Sequence, residues 1–384
     1  MDTSGVDFVV YPCDLIQLSK SYSAITYCGL PYADAAIETE EQSVRFIIHD
    51  GGCQPCHLQG LLTYNTSTKT FFAPGKIYEA LHSKTLIPCS SNTDALVFET
   101  AILASRYGFE PAQEAQHEAS LLEQHMVPRM NSPSMNSSRT NSNQSRCQNV
   151  VPGKNNRALQ ASITRNPADT STSPNLPLLY HQDLLRLMLT GAYPQKGFSF
   201  LKQSGFIARH WPELEAITKT SHSKDYHPEG DLWQHTMETF SHRKTRDFSL
   251  SLALLLHDIG KPRADAHAGN RFYAHAEIGS SIAERFLKRL GFSNTLIDKV
   301  TFLIRFHMLP YGLPSLPFSR VEEQLASPYF PELLELFRCD EFSTFKGPEL
   351  YYEACARYKE WCRLSKNPYR TIDNRKISGR TMRR

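Results

Sequence analysis

Between Met126 and Pro177 the chain stops offering residues from which a core could be built. "MNSPSMNSSRTNSNQSRCQN" and "ADTSTSPNLP" are rich in Ser, Asn, Thr and Pro and hold few large apolar side chains. Such a segment cannot bury enough surface to offset the entropy of ordering it. It is expected to be a disordered linker, so folding must happen on either side of it. A chain of 384 residues leaves length for a core in each flank.

The flanks differ in pattern. From Val6 to Pro111, short β-like runs ("VDFVVYP", "VRFIIH", "GLLTYN") mix with one helical run. "TYNTSTKTFFAP" places a polar bend between aromatic ends, as a hairpin does. "DALVFETAILASRYGF" spaces Leu96, Ile102, Leu103 and Tyr107 at helical intervals, with Asp94 as N-cap and Gly108 as stop. This flank reads as α+β.

From Leu178 onward the period is helical. Ile278, Ile282, Phe286 and Leu290 recur every four residues before a capping Gly291, and Leu296, Val300, Leu303 and His307 share one face. The expectation is an all-α domain of about seven helices, in a chain that is mostly α overall. The expected division is 1–125 (α+β), 126–177 (linker), 178–362 (all-α) and 363–384 (a basic tail).

Composition excludes some classes. No window approaches the roughly 18–20 uninterrupted apolar residues of a membrane span. "MDTSGVDFVVYPCDL" has neither the basic start nor the apolar core of a secretory signal. Nine scattered Cys suit free thiols in a reducing compartment, hence a cytoplasmic location. A net charge of +3 does not by itself argue for nucleic acid. Two local clusters, "SHRKTR" (Ser241–Arg246) and "RKISGRTMRR", carry more weight. In the first, Arg243, Lys244 and Arg246 are candidates to hold an RNA backbone, against the plainer reading of a solvated face.

The chemistry concentrates in the helical flank. "LLLHDIGKP" (Leu254–Pro262) puts His257 and Asp258 at the end of an apolar run, where unpaired polar groups are costly. His235, His275, His307 and Asp340 also lie on or beside helices whose other face is apolar. Inward imidazoles and carboxylates are well partnered by a metal, and a mixed His/carboxylate set suits Mn, Fe, Co, Ni or Zn with water positions left open. The chain supplies its own comparison in His49-Asp50 of "FIIHDGG", which has no regularly placed partners and reads as a turn. "CQPCH" (Cys53–His57) matches the c-type haem attachment pattern, but the export signal such attachment needs is missing, as is the second C-x-x-C of a zinc ribbon.

"HPEGDLWQHT…LLLHDIGKP…FYAHAEIGSSIAERFLKRLGFSN…IRFHML…FRCDEFS" resembles an HD-superfamily metal phosphohydrolase domain, over about Leu178–Lys346. More narrowly it is similar to the HD domain carried by bacterial tRNA nucleotidyltransferases and poly(A) polymerases. The resemblance implies that His235, His257, Asp258 and Asp340 bind one divalent transition metal. Binuclear members add two intervening His, here His275 and His307, which gives two ions bridged by Asp258 as the bolder reading. Such an ion lowers the pKa of bound water and neutralises a phosphoryl oxygen. Asp258 and Lys261 are then the catalytic candidates, with Lys261 stabilising the phosphoryl group or leaving oxygen, or else only a solvated turn Lys.

The resemblance extends in weaker form to "LLTYNTSTKTFFAPGKIYEALHSKTLIPCSSNTDALVFETAILASRYGFEPA", which looks like the later part of a nucleotidyltransferase head and its neck. The family's Arg-Arg-Asp segment is replaced by "CQPCHLQG". Asp94 matches the Asp before the nucleotide-binding helix, but Val97, Glu99 and Ala101 stand where Arg residues are expected, leaving only Arg106 basic. The upstream Gly-Gly-x-x-Arg-Asp loop and D-x-D pair are absent from the sequence. The resemblance thus implies a partial, degenerate head that cannot add nucleotides by that route, through decay or because the missing part lies upstream or on another chain. The expected activity is hydrolysis of phosphate esters of nucleotides or RNA 3′ ends, with tRNA as a further partner and no membrane. The alternative is a tRNA- or RNA-binding module that serves a separate nucleotidyltransferase and keeps its HD cage for structure.

Overall fold

Short β-runs and one amphipathic helix build the N-terminal flank. The computed structural model describes residues 6–11, 30, 33, 35–38, 43–48, 63–65, 70–72, 83–86, 93–111, 176–220, 231–268, 274–344, 347–367, 370–373 and 375. His49-Asp50, Cys53–His57, residues 126–175 of the expected linker and the tail from Lys376 lie outside them. Strands β1 (Val6–Tyr11), β2 (Ala35–Glu38) and β3 (Ser43–Ile48) form a sheet of order β1-β3-β2, with β1 parallel and β2 antiparallel to β3. The expected hairpin is present as β4 (Thr63–Asn65) antiparallel to β5 (Thr70–Phe72). A short parallel pair, β6 (Thr85–Leu86) and β7 (Glu110–Pro111), brackets helix α1 (Thr93–Tyr107).

Asp94 lies within the first turn of α1, not ahead of it as an N-cap, and Tyr107 is exposed while Leu96, Ile102 and Leu103 are buried. The helix stops at Gly108, whose N–H donates to the Ala104 carbonyl.

The described residues are mostly α. From Leu178 to Leu364 the described residues form α2 (Leu178–Leu189), α3 (Pro194–Gln203), α4 (Phe206–His210), α5 (Pro212–Thr218), α6 (Leu232–Thr239), α7 (Phe248–Leu256), α8 (Lys261–Ala268), α9 (His275–Arg289), α10 (Asn294–Phe306), α11 (Leu309–Gly312), α12 (Glu322–Ala326), α13 (Phe330–Phe342) and α14 (Glu349–Leu364). Seven of these have nine or more residues, the number that periodicity suggested. The rest are short pieces that periodicity cannot separate, three of them with Pro in the first turn, at Pro212, Pro262 and Pro310.

Side-chain caps fix where the site-bearing helices start. Asp231 accepts from Trp233 N at 2.9 Å and Asp247 from Leu250 N at 2.9 Å, which opens α6 and α7. Gly291, at φ +74°, closes α9 in a backbone region that other residues enter at a cost. Helix α7 is buried from Ser249 to Leu256 and packs on α10 and α13. No helix among the described residues is long and apolar enough to cross a membrane.

The two flanks share one core. Val97, Phe98, Ala101 and Ile102 of α1 cluster with Tyr180, Leu184, Met188 and Phe198 of α2 and α3. Packing is close at Gly197, where a Cβ would overlap Ser105 Oγ and lie 2.6 Å from the Ala101 carbonyl oxygen. Arg45 of β3 and Asp183 of α2 form a two-pronged ion pair, with Nε–Oδ2 and Nη2–Oδ1 both 2.6 Å and both side chains fully buried. Arg243 also turns inward. Its Nη1 donates to Leu189 O at 2.5 Å and Ser251 Oγ at 2.6 Å, and Nη2 donates to Gly191 O at 3.0 Å. It satisfies carbonyls at the end of α2, so neither the RNA-contact reading nor the solvated-face reading holds for this residue. Lys244 and Arg246 remain exposed.

Removing one partner of a buried ion pair strands the other charge. Arg45→Met is expected to cost about 3–5 kcal/mol in denaturant unfolding, and adding Asp183→Leu to recover most of it.

A second weak point is electrostatic. Burial first, then His210 and Arg289, push His181 down to about 3, and burial, Arg209 and Arg289 push His210 down to about 4. The unfolded chain takes up these protons near its ordinary value of about 6.5, so this contribution is intact above about pH 6.5 and is lost as pH falls towards 4 and 3. Melting temperatures measured from about pH 7 to 5 should fall less steeply in His181→Leu than in wild type.

Candidate metal centre

Five helices deliver their polar residues to one point. His235 projects from the middle of α6, His257 caps the C-terminus of α7 with Asp258 next to it, and His275 opens α9. His307 caps α10 and Asp340 sits in the last turn of α13. His235, His257, Asp258 and His307 are each at most 2% exposed. The centre is reached past His275 and Asp340, whose side chains are 11% and 18% exposed.

The donors divide between the two oxygens of Asp258. Oδ2 lies 3.2 Å from His257 Nε2 and 3.8 Å from His235 Nε2. Oδ1 lies 3.6 Å from His275 Nε2 and 3.9 Å from His307 Nε2. Asp340 Oδ1 joins the first group, 3.0 Å from His235 Nε2 and 3.7 Å from His257 Nε2. Two groups of donors that could hold a metal result, His235/His257/Asp258 and Asp258/His275/His307, with the ligand atoms of each within 4.8 Å of one another.

The imidazoles are oriented for coordination. His257 Nδ1 is 2.8 Å from Leu254 O and His307 Nδ1 is 2.7 Å from Ile304 O. A carbonyl only accepts, so both Nδ1 atoms carry protons and both Nε2 atoms face the centre, the arrangement an outer shell imposes on metal-binding His. His235 Nδ1 is 3.2 Å from Ser343 Oγ.

Two observations test whether an ion fits. His257 Nε2 is buried and makes no hydrogen bond despite its nearness to Asp258. His275 Nε2 and His307 Nε2 approach to 3.0 Å. Donors bound to one ion at about 2.0–2.1 Å each are at most about 4.2 Å apart, so all these separations are compatible with shared ions.

The protein's own charges set a strained balance. Burial opposes the charged form of His257, but Asp258 and then Asp340 raise it to about 9. His307 is driven down to about 3 by burial and by His275 and His257. Burial works against ionisation of Asp258 and Asp340 too, yet facing cations hold both below the usual carboxylate range: His257 and Lys261 for Asp258, His235 and His257 for Asp340. Lys261 Nζ is 2.6 Å from Asp258 Oδ2 and the residue is 8% exposed, so it is not a solvated turn lysine.

Some of the machinery gave no sequence signal. A Cβ at Gly260 would overlap the His275 carbonyl oxygen and come within 2.6 Å of Gly279 N. Two glycines thus let the start of α9 lie against the turn after Asp258, and this brings His275 in. Ser343 and the two carbonyls under the imidazoles were equally silent. Backbone acceptors have no residue identity to read.

Residues 233–344 match the HD domain family. The chain is similar to the Multifunctional CCA protein of Halorhodospira halophila, 35% identical over 117 residues, which is 30% of this chain and 28% of that protein. It is 30% identical over 173 residues to the Multifunctional CCA protein of Alkalilimnicola ehrlichii (44% of this chain, 40% of the relative). It is also 30% identical over 193 residues to the CC-adding tRNA nucleotidyltransferase of Thermus thermophilus (47% of this chain, 42% of the relative). The chain spans less than half the length of these relatives. The fold that surrounds the centre is therefore that of the HD domains, a metal-dependent phosphohydrolase fold. Within that class, the chain is similar to proteins named Multifunctional CCA protein and CC-adding tRNA nucleotidyltransferase.

Elemental analysis after dialysis against Mn or Co should find two ions per chain, one for each group of donors. His275→Ala should bind one and Asp258→Ala none. Gly260→Ala, which displaces the start of α9, should behave like His275→Ala.

Proposed function

We propose that the centre is a metal-dependent phosphohydrolase site acting on phosphate esters of nucleotides or RNA 3′ ends. The observation that carries the reading is the division of Asp258, one oxygen facing His235 and His257 and the other facing His275 and His307. In this reading Asp258 bridges two donor sets. His235, His257 and Asp340 complete one, and His275 and His307 the other.

Bound there, a divalent transition ion supplies Lewis acidity towards a phosphoryl oxygen and lowers the pKa of a water molecule. The chain's residues do the remainder. Leu254 O and Ile304 O fix the imidazole planes, so that no reorientation is needed on binding. The apolar length of α7 excludes water from behind the centre, and among the described residues the more exposed members of the centre are Lys261, His275 and Asp340. Lys261, held on Asp258, places a positive charge where negative charge grows on the phosphoryl group or the departing ester oxygen. The departing oxygen leaves as an alcohol after taking up a proton, while the P–O bond to water forms.

The substrate class is drawn from relatives named Multifunctional CCA protein and CC-adding tRNA nucleotidyltransferase. An RNA 3′ end, or the 2′,3′-cyclic or 2′-phosphate on it, is the ester such a neighbour would present.

Purified protein loaded with Mn, Co, Ni or Zn should hydrolyse 2′,3′-cyclic or 2′-phosphates. Loss of a ligand should cost more than the roughly 10–100-fold typical of outer-shell changes, so His257→Ala and Asp258→Ala should each lose at least about 100-fold in kcat. Wild-type protein inert with every ion, or alanine variants as active as wild type, would return the HD cage to a structural role in an RNA-binding module.

A further inference from the structure

We propose that a cleft walled by the Pro317–Arg320 turn, α14, Asp373 and Arg375 is a phosphate subsite that holds the backbone of an RNA strand, apart from the metal centre. None of its lining residues belongs to the donor set. The cleft encloses about 410 Å³. A water molecule occupies about 30 Å³ of liquid, so there is room for a phosphodiester and a flanking sugar.

The floor is a rigid, flat cation. The Arg357 guanidinium lies 3.6 Å from the centroid of the Phe318 ring, which is itself buried. Its Nη1 is 2.7 Å from Glu360 Oε2 and its Nη2 donates to Leu316 O at 3.1 Å, while Nε is buried with no hydrogen-bond partner.

The acidic groups of the cleft are already committed. Glu360 pairs with Arg357, and Asp373 Oδ1 accepts from Ser319 N at 3.1 Å, which ties the two turns together. Arg320 and Arg375 are exposed and enter no side-chain hydrogen bond or ion pair among the described residues. Two exposed guanidiniums, of which Arg375, after the Ser319 hydrogen bond, also helps to hold the Asp373 carboxyl below its ordinary range, therefore flank a third that is fixed on an aromatic face. Planar forks of this kind match phosphate oxygens two at a time.

Sequence selects the strand over a small anion. Arg375 opens "RKISGRTMRR", which adds Lys376, Arg380, Arg383 and Arg384 without one acidic residue. A run of cations that starts at the cleft suits a polyanion, whose binding gains from each counterion released. The subsite shares only the RNA class with the proposed function. It needs neither the metal nor the hydrolytic step.

The test is fluorescence anisotropy of the full chain with a short labelled single-stranded RNA, in EDTA so that the metal centre plays no part. Arg320→Gln/Arg375→Gln should bind about 10-fold more weakly at low salt, with a log–log salt slope shallower by about 1.4, at about 0.7 for each phosphate of a single strand that the variant no longer neutralises. Lys219→Gln/Arg285→Gln, which removes two exposed cations elsewhere, should bind like wild type, and both double variants should melt like wild type. Unchanged RNA affinity in Arg320→Gln/Arg375→Gln overturns the proposal, as does an equal weakening in Lys219→Gln/Arg285→Gln. ADP is the second arm: if the cleft arginines govern ADP affinity while RNA affinity is unmoved, a free nucleotide replaces the strand and the RNA assignment falls. Because no arm reads hydrolysis, an inactive metal centre would leave these outcomes intact.

Discussion

Everything around the centre answers to one carboxylate. Asp258 is 2% exposed at the end of a helix that is buried from Ser249 onward. Burying a charge is expensive unless it is paired and hydrogen-bonded, and replacing such a group with an apolar one is often no worse for stability. Lys261 pairs with Oδ2, and Oδ1 faces the imidazole nitrogens of His275 and His307. Its nearest companions, His275 and His307, point the same kind of atom at it and at each other. Five helices converge on this arrangement, which fits a bridging ligand and has little to recommend it as core packing.

The choice of flanking residues follows from that point. An imidazole tethered to a carbonyl at the end of its own helix cannot rotate away, and His257 and His307 both use the carbonyl three residues back. Each also replaces the cap that would otherwise satisfy the last turn of its helix. The same side chain thus closes a helix and aims a candidate donor, so these two candidates sit at helix ends. His235, which sits mid-helix, needs a separate anchor, and Ser343 Oγ lies 3.2 Å from its Nδ1 while donating to the backbone carbonyl of Asp340 at 2.6 Å.

The donor set was legible in the sequence because each member is a polar residue on an otherwise apolar helix face, and only a few side-chain types do this chemistry. How Asp258 divides its two oxygens was not, since that depends on how five helices meet. The basic cluster after α6 misled for a related reason. Arg243 sits in a run of cations, but the carbonyls of Leu189 and Gly191 that claim it lie at and just beyond the end of α2, more than fifty residues earlier. Asp94 failed as a cap because α1 starts one residue ahead of it. The Arg45–Asp183 pair gave no sign at all, because one residue lies in a strand of the first flank and the other in the first helix of the second. Local pattern reads elements and residue chemistry. It does not read which distant element will supply a partner.

Those long-range partners explain why the centre cannot be reduced to the stretch that matches the HD family. Residues 233–344 carry the donors, but the helices behind them lean on α2, which lies outside the match. Gln182 Nε2 donates to Leu290 O at 2.8 Å, tying α2 to the end of α9, the helix that presents His275. Arg243 ties the end of α2 to Ser251 in α7, the helix that presents His257 and Asp258. On its other side α2 is pinned to β3 by Arg45 and to α1 by Tyr180, whose hydroxyl donates to Asp94 O at 2.7 Å. One helix therefore joins the N-terminal flank to α7 and α9, one of the helices that face each oxygen of Asp258. The geometry of the centre is a property of the shared core, and the α+β flank is part of what holds it.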